Sequence, residues 1–168
     1  MENCSVRPVS AVADSTAIVE IYNHYIRHTV VTFEETEVTV EQMLERINSV
    51  TSASLPWLVA EVSGQVVGYA YAGKFHSRSA YRFTVEATVY LENNASSKGI
   101  GTKLYEALLH HLKLQNFHSV IGIVALPNEA SVKLHEKFYF KKIGHFSEVG
   151  YKFNQWLDVG YWQLVLNT

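Results

Sequence analysis

The fold is decided by TVEATVYL at residues 84–91, a polar bridge at residues 92–98, GIG at residues 99–101 and TKLYEALLHHL at residues 102–112. The first segment is rich in β-branched and aromatic side chains, which are typical of a strand. In the last segment leucine recurs at positions 104, 108 and 112, which is the spacing of one face of a helix. The stretch therefore predicts a strand that leads through a glycine-containing turn into a helix.

The turn between this strand and this helix has the features of an anion site. Free N–H groups at a helix start attract negative charge together with the helix dipole, and glycine lets a phosphate come close. Gly99 and Gly101 are equally compatible with a plain turn. The anion reading gains weight from Glu86, a carboxylate in an otherwise apolar strand just upstream.

Composition indicates one folded domain. The chain has 168 residues, of which 48% are hydrophobic and 18% charged, so it can bury a sizeable core and is not disordered. We therefore expect residues 1–168 to form a single domain with mixed α/β structure.

Charge and cysteine content narrow the function classes. The net charge is −2 without a basic block, so a nucleic acid partner is not expected. Cys4 is the only cysteine, which excludes an internal disulfide and a cysteine metal cluster and fits a reducing cytosol. No apolar run approaches the roughly 18 residues of a membrane helix, and the N-terminus lacks the apolar core of a signal peptide. We expect a cytoplasmic protein with no metal site and no membrane contact.

Local patterns place the remaining elements in the first half of the chain. Residues 6–9 favour a short strand, and Asp14 is predicted to cap the first helix. Thr39 and Gln42 form a capping box for a second helix, and residues 28–38 before it are too irregular to assign. Residues 57–62 and 65–72 favour two strands of a hairpin.

The second half follows the same logic. Residues 120–124 read as a buried strand, and Asn128 is predicted to cap a helix that ends near Phe138. Residues 141–146 and 161–166 favour closing strands. Residues 150–158 between them are predicted to form an aromatic, polar excursion.

Taken in this order, the residues resemble the GNAT N-acetyltransferases. The pyrophosphate loop of that superfamily reads Gln/Arg-x-x-Gly-x-Gly/Ala, and residues 96–101 are similar to it except that Ser96 stands where glutamine or arginine is usual. The resemblance extends to the phosphinothricin and methionine sulfoximine N-acetyltransferase branch. The matching segments are residues 21–24, 56–61, 81–86, 88–90 and 128–135, and Lys152-Phe153 with Trp156 and Asp158.

This resemblance implies a fold and an activity. The fold is α/β, with a central mixed, mostly antiparallel sheet that splays open, helices on both faces, and acetyl-CoA in the split. The activity is acetyl-CoA-dependent acetylation of the α-amine of a small amino acid or analogue, such as phosphinothricin, methionine sulfoximine or methionine sulfone. Members of the branch are generally homodimers, and a homodimer is expected here.

The resemblance also assigns cofactor contacts. The main chain of one strand segment pairs with the pantetheine arm, the glycine loop binds the pyrophosphate, and a helix start contacts the cofactor. These positions are Thr88, Val89, Tyr90, Ser96, Ser97, Lys98, Gly99, Ile100, Gly101 and Asn128. A fully paired strand, and an Asn128 that acts only as a helix cap, are the plain alternatives.

Glu86 is the predicted general base. Burial among Val85, Ala87 and Val89 would raise the pKa of its carboxyl group toward the range of a base that works near neutral pH. It would act directly or through a water molecule. The alternative is a carboxylate that points to solvent from a half-exposed strand.

His135 is the predicted acid for the leaving thiolate, at a point where many GNAT enzymes have tyrosine. The pKa of histidine suits proton transfer near neutrality. Helical spacing places His135 on one face with Ser131 and Phe138. A structural histidine remains an alternative, and Tyr139 is a rival for the acid role.

The acceptor amine is expected to meet two groups of residues that follow from the family alignment: Phe75, His76 and Ser77, and Val85, Glu86 and Ala87. Arg78 and Arg82 are nearby cations that suit a carboxylate, or else are solvated surface residues. Cys4 is remote from every motif, so direct transfer is expected in place of an acyl-cysteine.

Two other functions stay open at this point. One is acetylation of a different amine, such as a protein N-terminus, a polyamine or an aminoglycoside. The other is a non-catalytic CoA-binding module.

Overall fold

The computed structural model describes residues 4–95 and 99–166, and within them seven strands form one sheet with four helices packed on it. The strands are β1 (Cys4–Pro8), β2 (Trp57–Val62), β3 (Gln65–Lys74), β4 (Thr84–Leu91), β5 (Ser119–Leu126), β6 (Lys141–Lys152) and β7 (Gln155–Val165). The helices are α1 (Ala11–His28), α2 (Val40–Ser52), α3 (Ile100–Leu114) and α4 (Glu129–Lys137). The strand order is β1-β2-β3-β4-β5-β7-β6, and every neighbouring pair is antiparallel except β4 and β5. The predicted mixed, mostly antiparallel sheet is confirmed.

Helices cover both faces of the sheet, as predicted. On one face α1 and α2 pack on β2 and β3 through a buried cluster that includes Ile18, Ile47, Trp57, Val59 and Tyr69. On the other face α3 packs through a second cluster that includes Leu58, Ala70, Val85, Leu104 and Leu108. The faces separate because successive strand side chains point to opposite sides.

Side-chain hydrogen bonds confirm the predicted caps of α2 and α4. Thr39 Oγ1 accepts a hydrogen bond from the Gln42 N–H at 3.2 Å, and Gln42 Oε1 accepts one from the Thr39 N–H at 2.9 Å. Asn128 Oδ1 accepts the Ser131 N–H at 3.1 Å and caps α4. Among the described residues, every helix is too short or too polar to cross a bilayer.

The predicted cap at Asp14 is wrong. The first helix begins at Ala11 after Ser10, and Asp14 lies in its first turn. Asp14 Oδ2 reaches back to accept the Ser10 N–H at 2.7 Å, and both carboxylate oxygens accept hydrogen bonds from Arg7 at 2.8 and 2.9 Å. The carboxylate thus stabilises the same helix start from within the helix.

The predicted excursion at residues 150–158 is also wrong. Strands β6 and β7 continue through it and meet at a tight turn, where Phe153 and Asn154 have φ angles of 52° and 58°. Two-residue hairpin turns usually have glycine at these positive angles. Because neither residue here is glycine, the sequence did not indicate a turn. The exposed aromatic side chains belong to the edge strand and its partner, not to a loop.

Candidate active site

The sheet opens next to Glu86. Strands β4 and β5 are paired only over Thr84–Glu86 and Ser119–Ile121. Beyond this point β4 stays paired with β3 as far as Leu91, and β5 stays paired with β7 as far as Leu126. In the described residues, the β4 edge from Ala87 onward therefore faces an opening. The three residues predicted to pair with the pantetheine arm, Thr88, Val89 and Tyr90, lie along this edge.

A cavity of about 770 Å³ lies at the outer end of the opening. Its walls come from the end of β4, the start of α3 and one side of α4. The residues are Tyr25, Val31, Val89, Leu91, Gly99, Ile100, Gly101, Thr102, Asn128, Glu129, Ala130, Ser131, Lys133, Leu134 and Lys137. All the predicted cofactor contacts among the described residues, apart from Thr88 and Tyr90, line this cavity.

The start of α3 is suited to an anion. Gly99 adopts a left-handed conformation with φ +76°, and no side-chain cap occupies the helix start within the described residues. Within that part of the chain the first amides of α3 are therefore open to a ligand. Lys137 adds positive charge to the same cavity, whereas Lys133 is paired with Glu129 at 3.4 Å. Ser96, Ser97 and Lys98, which were predicted to share this role, lie outside the described residues.

A second cavity, of about 230 Å³, adjoins the first one and contains the predicted catalytic residues. The two cavities share Val31, Val89, Asn128 and Ser131. The lining of the second also includes Thr32, Phe33, Glu86, Ala87, Thr88, Tyr90, Ile123, Val124, Ala125, His135 and Val159. The structure thus brings together Glu86 and His135 at the inner end of the opening, where a small acceptor would meet a thioester.

Glu86 is half-buried, and burial raises the pKa of its carboxyl group. Its neighbours Val85 and Ala87 point into the core under α3, so Glu86 points to the face that carries α1 and α2. In the described part of the chain its carboxylate accepts no hydrogen bond from another residue. A carboxylate in this state can take a proton from an incoming amine or from a water molecule.

His135 is 3% exposed and both its ring nitrogens are hydrogen-bonded. Nδ1 lies 2.7 Å from the Ser131 carbonyl oxygen, and Nε2 lies 2.7 Å from the Tyr105 hydroxyl. Because a carbonyl oxygen only accepts, Nδ1 carries the hydrogen and Nε2 accepts from Tyr105. Burial lowers the pKa of His135, which favours this neutral ring. The Ser131 hydroxyl, 3.4 Å from Nδ1, lines both cavities.

The structure favours a role for Tyr105 at the site and does not favour one for Tyr139. In the sequence Tyr105 looks like one more apolar residue of α3. In the structure its hydroxyl is hydrogen-bonded to Nε2 of His135. Tyr139, the proposed rival acid, follows α4 with φ 64° and is 83% exposed. Its side chain lines neither cavity described above, so the structure argues against the rival assignment.

Phe75, His76 and Ser77 lie outside both cavities. They follow the end of β3, and the rings of Phe75 and His76 lie 5.8 and 4.9 Å from the ring of Tyr81. The group therefore belongs to the connection between β3 and β4, next to Tyr81. Val85 and Ala87 are both buried in the core under α3, at 1% and 5% exposure, and Ala87 also lines the cavity that contains Glu86.

Neither Arg78 nor Arg82 lines a cavity described above. The Arg82 guanidinium lies 4.6 Å from the centre of the Phe83 ring and donates to the Ser79 carbonyl oxygen at 3.1 Å. Part of the wall of the cavity that contains Glu86 comes instead from the cavity loop (residues 29–38), which contributes Val31, Thr32 and Phe33. Residues 29–38 have no regular sequence pattern, so this contribution was not predicted.

In the described residues, a sheet that opens beside the edge of β4, with a helix start suited to an anion, fits the class of enzymes that take an acyl group from CoA. The family described as "Acetyltransferase (GNAT) domain" matches residues 10–160, and the chain belongs to this family.

Similar proteins agree with this class. A phosphinothricin N-acetyltransferase of Streptomyces viridochromogenes is 41% identical over 158 residues, covering 94% of this chain and 85% of that protein. An L-methionine sulfoximine/L-methionine sulfone acetyltransferase of Salmonella typhimurium is 34% identical, covering 92% and 91%. The structure of a GNAT superfamily phosphinothricin acetyltransferase from Sinorhizobium meliloti in complex with acetyl-CoA has a TM-score of 0.95 and 34% identity, covering 98% and 89%.

These matches confirm the predicted superfamily, branch and fold. The chain is an acyltransferase, and its cosubstrate is acetyl-CoA, which GNAT acetyltransferases use.

Proposed function

We propose that this protein transfers the acetyl group of acetyl-CoA directly to the α-amine of a small amino acid or analogue, with Glu86 as general base. Phosphinothricin, methionine sulfoximine and methionine sulfone are the acceptors that the similar proteins suggest. The observation that carries the proposal is the half-buried carboxylate of Glu86, which has no hydrogen-bond partner among residues 4–95 and 99–166, at the point where β4 and β5 part. The location we propose is the cytoplasm.

Each part of the opening has a role in this scheme. The amides at Gly99, Ile100 and Gly101 hold the diphosphate, and the free β4 edge at residues 88–90 binds the pantetheine arm as an added strand would. Bound acetyl-CoA supplies the thioester. Asn128 caps α4 between the two cavities and contacts the cofactor.

Proton transfers are assigned to two residues. Glu86 removes a proton from the amine, because an ammonium group is not nucleophilic and the raised pKa makes this carboxylate a stronger base. His135 serves the departing thiolate. The imidazolium form of the ring donates the proton and returns to the neutral ring. The Ser131 hydroxyl lies 3.4 Å from Nδ1 of His135, and Ser131 lines both cavities, so we propose that the proton passes through this hydroxyl to the thiolate.

The acceptor is expected to enter from the side of the cavity loop. The contacts we propose for it are Phe75, His76 and Ser77 after the end of β3, and Ala87 beside Glu86, while Val85 contributes through its backbone. The core position of the Val85 side chain supports only that backbone contact.

Glu86→Gln tests the base assignment. General-base catalysis contributes about 10²- to 10⁴-fold, so kcat should fall by that factor while acetyl-CoA binding is retained. Because burial raises the pKa of Glu86 in the folded state, its ionised form opposes folding at neutral pH, and the variant should be at least as stable as the wild type. Stopped-time assays of thiol release and calorimetric titration with acetyl-CoA measure both effects.

Glu106→Gln, on the exposed side of α3, is the matched control and should change neither quantity. Unchanged kcat in Glu86→Gln with the best amine would show that another group is the base. A panel of amino acids, analogues, polyamines, aminoglycosides and peptides tests the acceptor class. Acetyl-CoA binding without transfer to any amine would favour a non-catalytic module.

We also propose a homodimer built on β6 and β7. These strands expose apolar side chains along the edge of the sheet, and Phe146, Val149, Tyr151, Phe153 and Trp156 are all more than half exposed. Exposed apolar surface of this extent commonly marks a protein contact. A single domain over residues 1–168 stays a prediction, supported by the one sheet that runs from β1 to β6.

A further inference from the structure

Lys152, the last residue of β6, is a buried cation that the proposed reaction does not use. It is 1% exposed, and its Nζ donates a hydrogen bond to the Thr32 carbonyl oxygen at 2.8 Å. Within residues 4–95 and 99–166 this is the one hydrogen bond of its ammonium group, which also lies 5.0 Å from the centre of the Phe153 ring. Burying an ammonium group is costly unless a partner compensates for lost hydration, so this contact is a strong local constraint.

The contact joins two halves of the sheet across the opening. The cavity loop connects α1 and α2, which pack on the half formed by β2 and β3, whereas Lys152 belongs to the half formed by β5, β7 and β6. The ring of Phe33 adds a second contact to β6. It packs so closely on Gly150 that a Cβ there would lie less than 3.0 Å from two of its atoms.

The cavity loop is held from the α1 and α2 side as well. The Thr32 Oγ1 lies 2.8 Å from the Tyr22 hydroxyl, which also contacts Glu34. Glu34 in turn accepts two hydrogen bonds from Arg46, at 2.9 and 2.6 Å. Thr32 is therefore fixed through its side chain on one half of the sheet and through its carbonyl on the other.

We propose that Lys152 is a positioning residue for the acceptor: it holds the Thr32 carbonyl and thereby the wall of Val31, Thr32 and Phe33 in the cavity that contains Glu86. This inference rests on the proposed function for its catalytic consequence but not for the contact itself. Removing the ammonium group frees one side of the cavity loop. Of the wall residues in this loop, only Val31 also lines the cofactor cavity, and the other walls of that cavity, from α1, β4, α3 and α4, make no contact with Lys152 and stay in place. Displacements near 1 Å at a reacting centre can cost up to about 100-fold in rate.

Lys152→Met tests the inference, because methionine keeps an unbranched apolar stem and lacks the donor. Lys141→Met, on the exposed start of the same strand, is the matched control. Hydrogen exchange followed by mass spectrometry should show residues 29–38 exchanging about tenfold faster in Lys152→Met, with α1 unchanged. The kcat/KM for the amine should fall by about tenfold or more, with KM for acetyl-CoA within about twofold of wild type.

Hydrogen exchange tests the contact of Lys152 with the cavity loop, and the kinetics test its effect on the acceptor. Unchanged exchange in residues 29–38 would overturn the anchor, whatever the activity. Faster exchange with unchanged kinetics for the amine would overturn the positioning role. If Lys152→Met does not fold, Lys152→Arg is measured in its place. Arginine keeps a charged donor, so the hydrogen exchange of residues 29–38 should stay at the wild-type rate. Faster exchange of these residues in the folded Lys152→Arg variant would count against the anchor. If the wild type acetylates no amine, the proposed function fails, and the exchange comparison still decides the contact.

Discussion

Gly122 in β5 permits the close approach of His135 to the sheet. An ideal Cβ at this position would lie less than 3.0 Å from two atoms of the imidazole ring, Nε2 and Cδ2. The ring has no free space for retreat, because His135 is 3% exposed and packs between Tyr105, Phe140 and Trp162. Gly122→Ala should therefore displace the ring and break its hydrogen bond to the Tyr105 hydroxyl.

The cost of this single methyl group has two parts. Overfilling a packed site costs about 1–3 kcal/mol, and leaving a buried donor or acceptor unsatisfied costs about 1–3 kcal/mol. We expect the free energy of unfolding to fall by about 4 kcal/mol, which is a large share of the roughly 5–15 kcal/mol of a typical domain. For a chain of this size the melting temperature should drop by about 8–16 °C.

Urea titration followed by tryptophan fluorescence and far-UV circular dichroism measures this change. Gly144→Ala is the control, because its Cβ would meet Tyr161 Cβ at an ordinary 3.8 Å and should change stability by less than about 1 kcal/mol. Gly122→Ala should also cost less in a His135→Ala background, since the clashing ring is gone. A Gly122→Ala protein as stable as wild type would refute the close packing of His135 on β5 and the hydrogen bonds derived from it.

Two further predictions concern pH and assembly. Burial raises the pKa of Glu86 above its usual value of 4.5, and a general base must be deprotonated to act. The rising limb of kcat/KM against pH should therefore have its midpoint above pH 4.5. A midpoint at the ordinary glutamate pKa would contradict the burial of this carboxylate. In light scattering the protein should have twice the monomer mass, and Trp156→Asp should shift it to monomer while Val12→Asp, on the exposed side of α1, should not. A monomeric wild type would rule out the dimer.

Several features were predictable because their signals are local. Leucines at positions 104, 108 and 112 mark the buried face of α3, and all three are fully buried. The alternation around Glu86 placed its neighbours in the core and its carboxylate on the other face. Capping pairs such as Thr39 with Gln42 involve residues three positions apart. The architecture of the sheet was predicted from the resemblance to the family, because neither periodicity nor capping determines how strands are arranged.

Other features depend on residues that are distant in the chain. The β6–β7 turn was missed because Phe153 and Asn154 adopt positive φ angles without glycine. The partnership of Tyr105 with His135 joins two helices 30 residues apart, and in sequence Tyr105 looks like another apolar residue of α3.

By itself, the sequence determined most of the strands and helices, apart from the ends of β6 and β7 at their turn, and which carboxylate lies in the central strand, because periodicity and capping act within a few residues. The tertiary structure alone decided where the sheet opens and which side chains face that opening. It also brought Lys152 to Thr32, 120 residues away. Packing makes such contacts, and a contact between distant residues leaves no periodic trace in the chain.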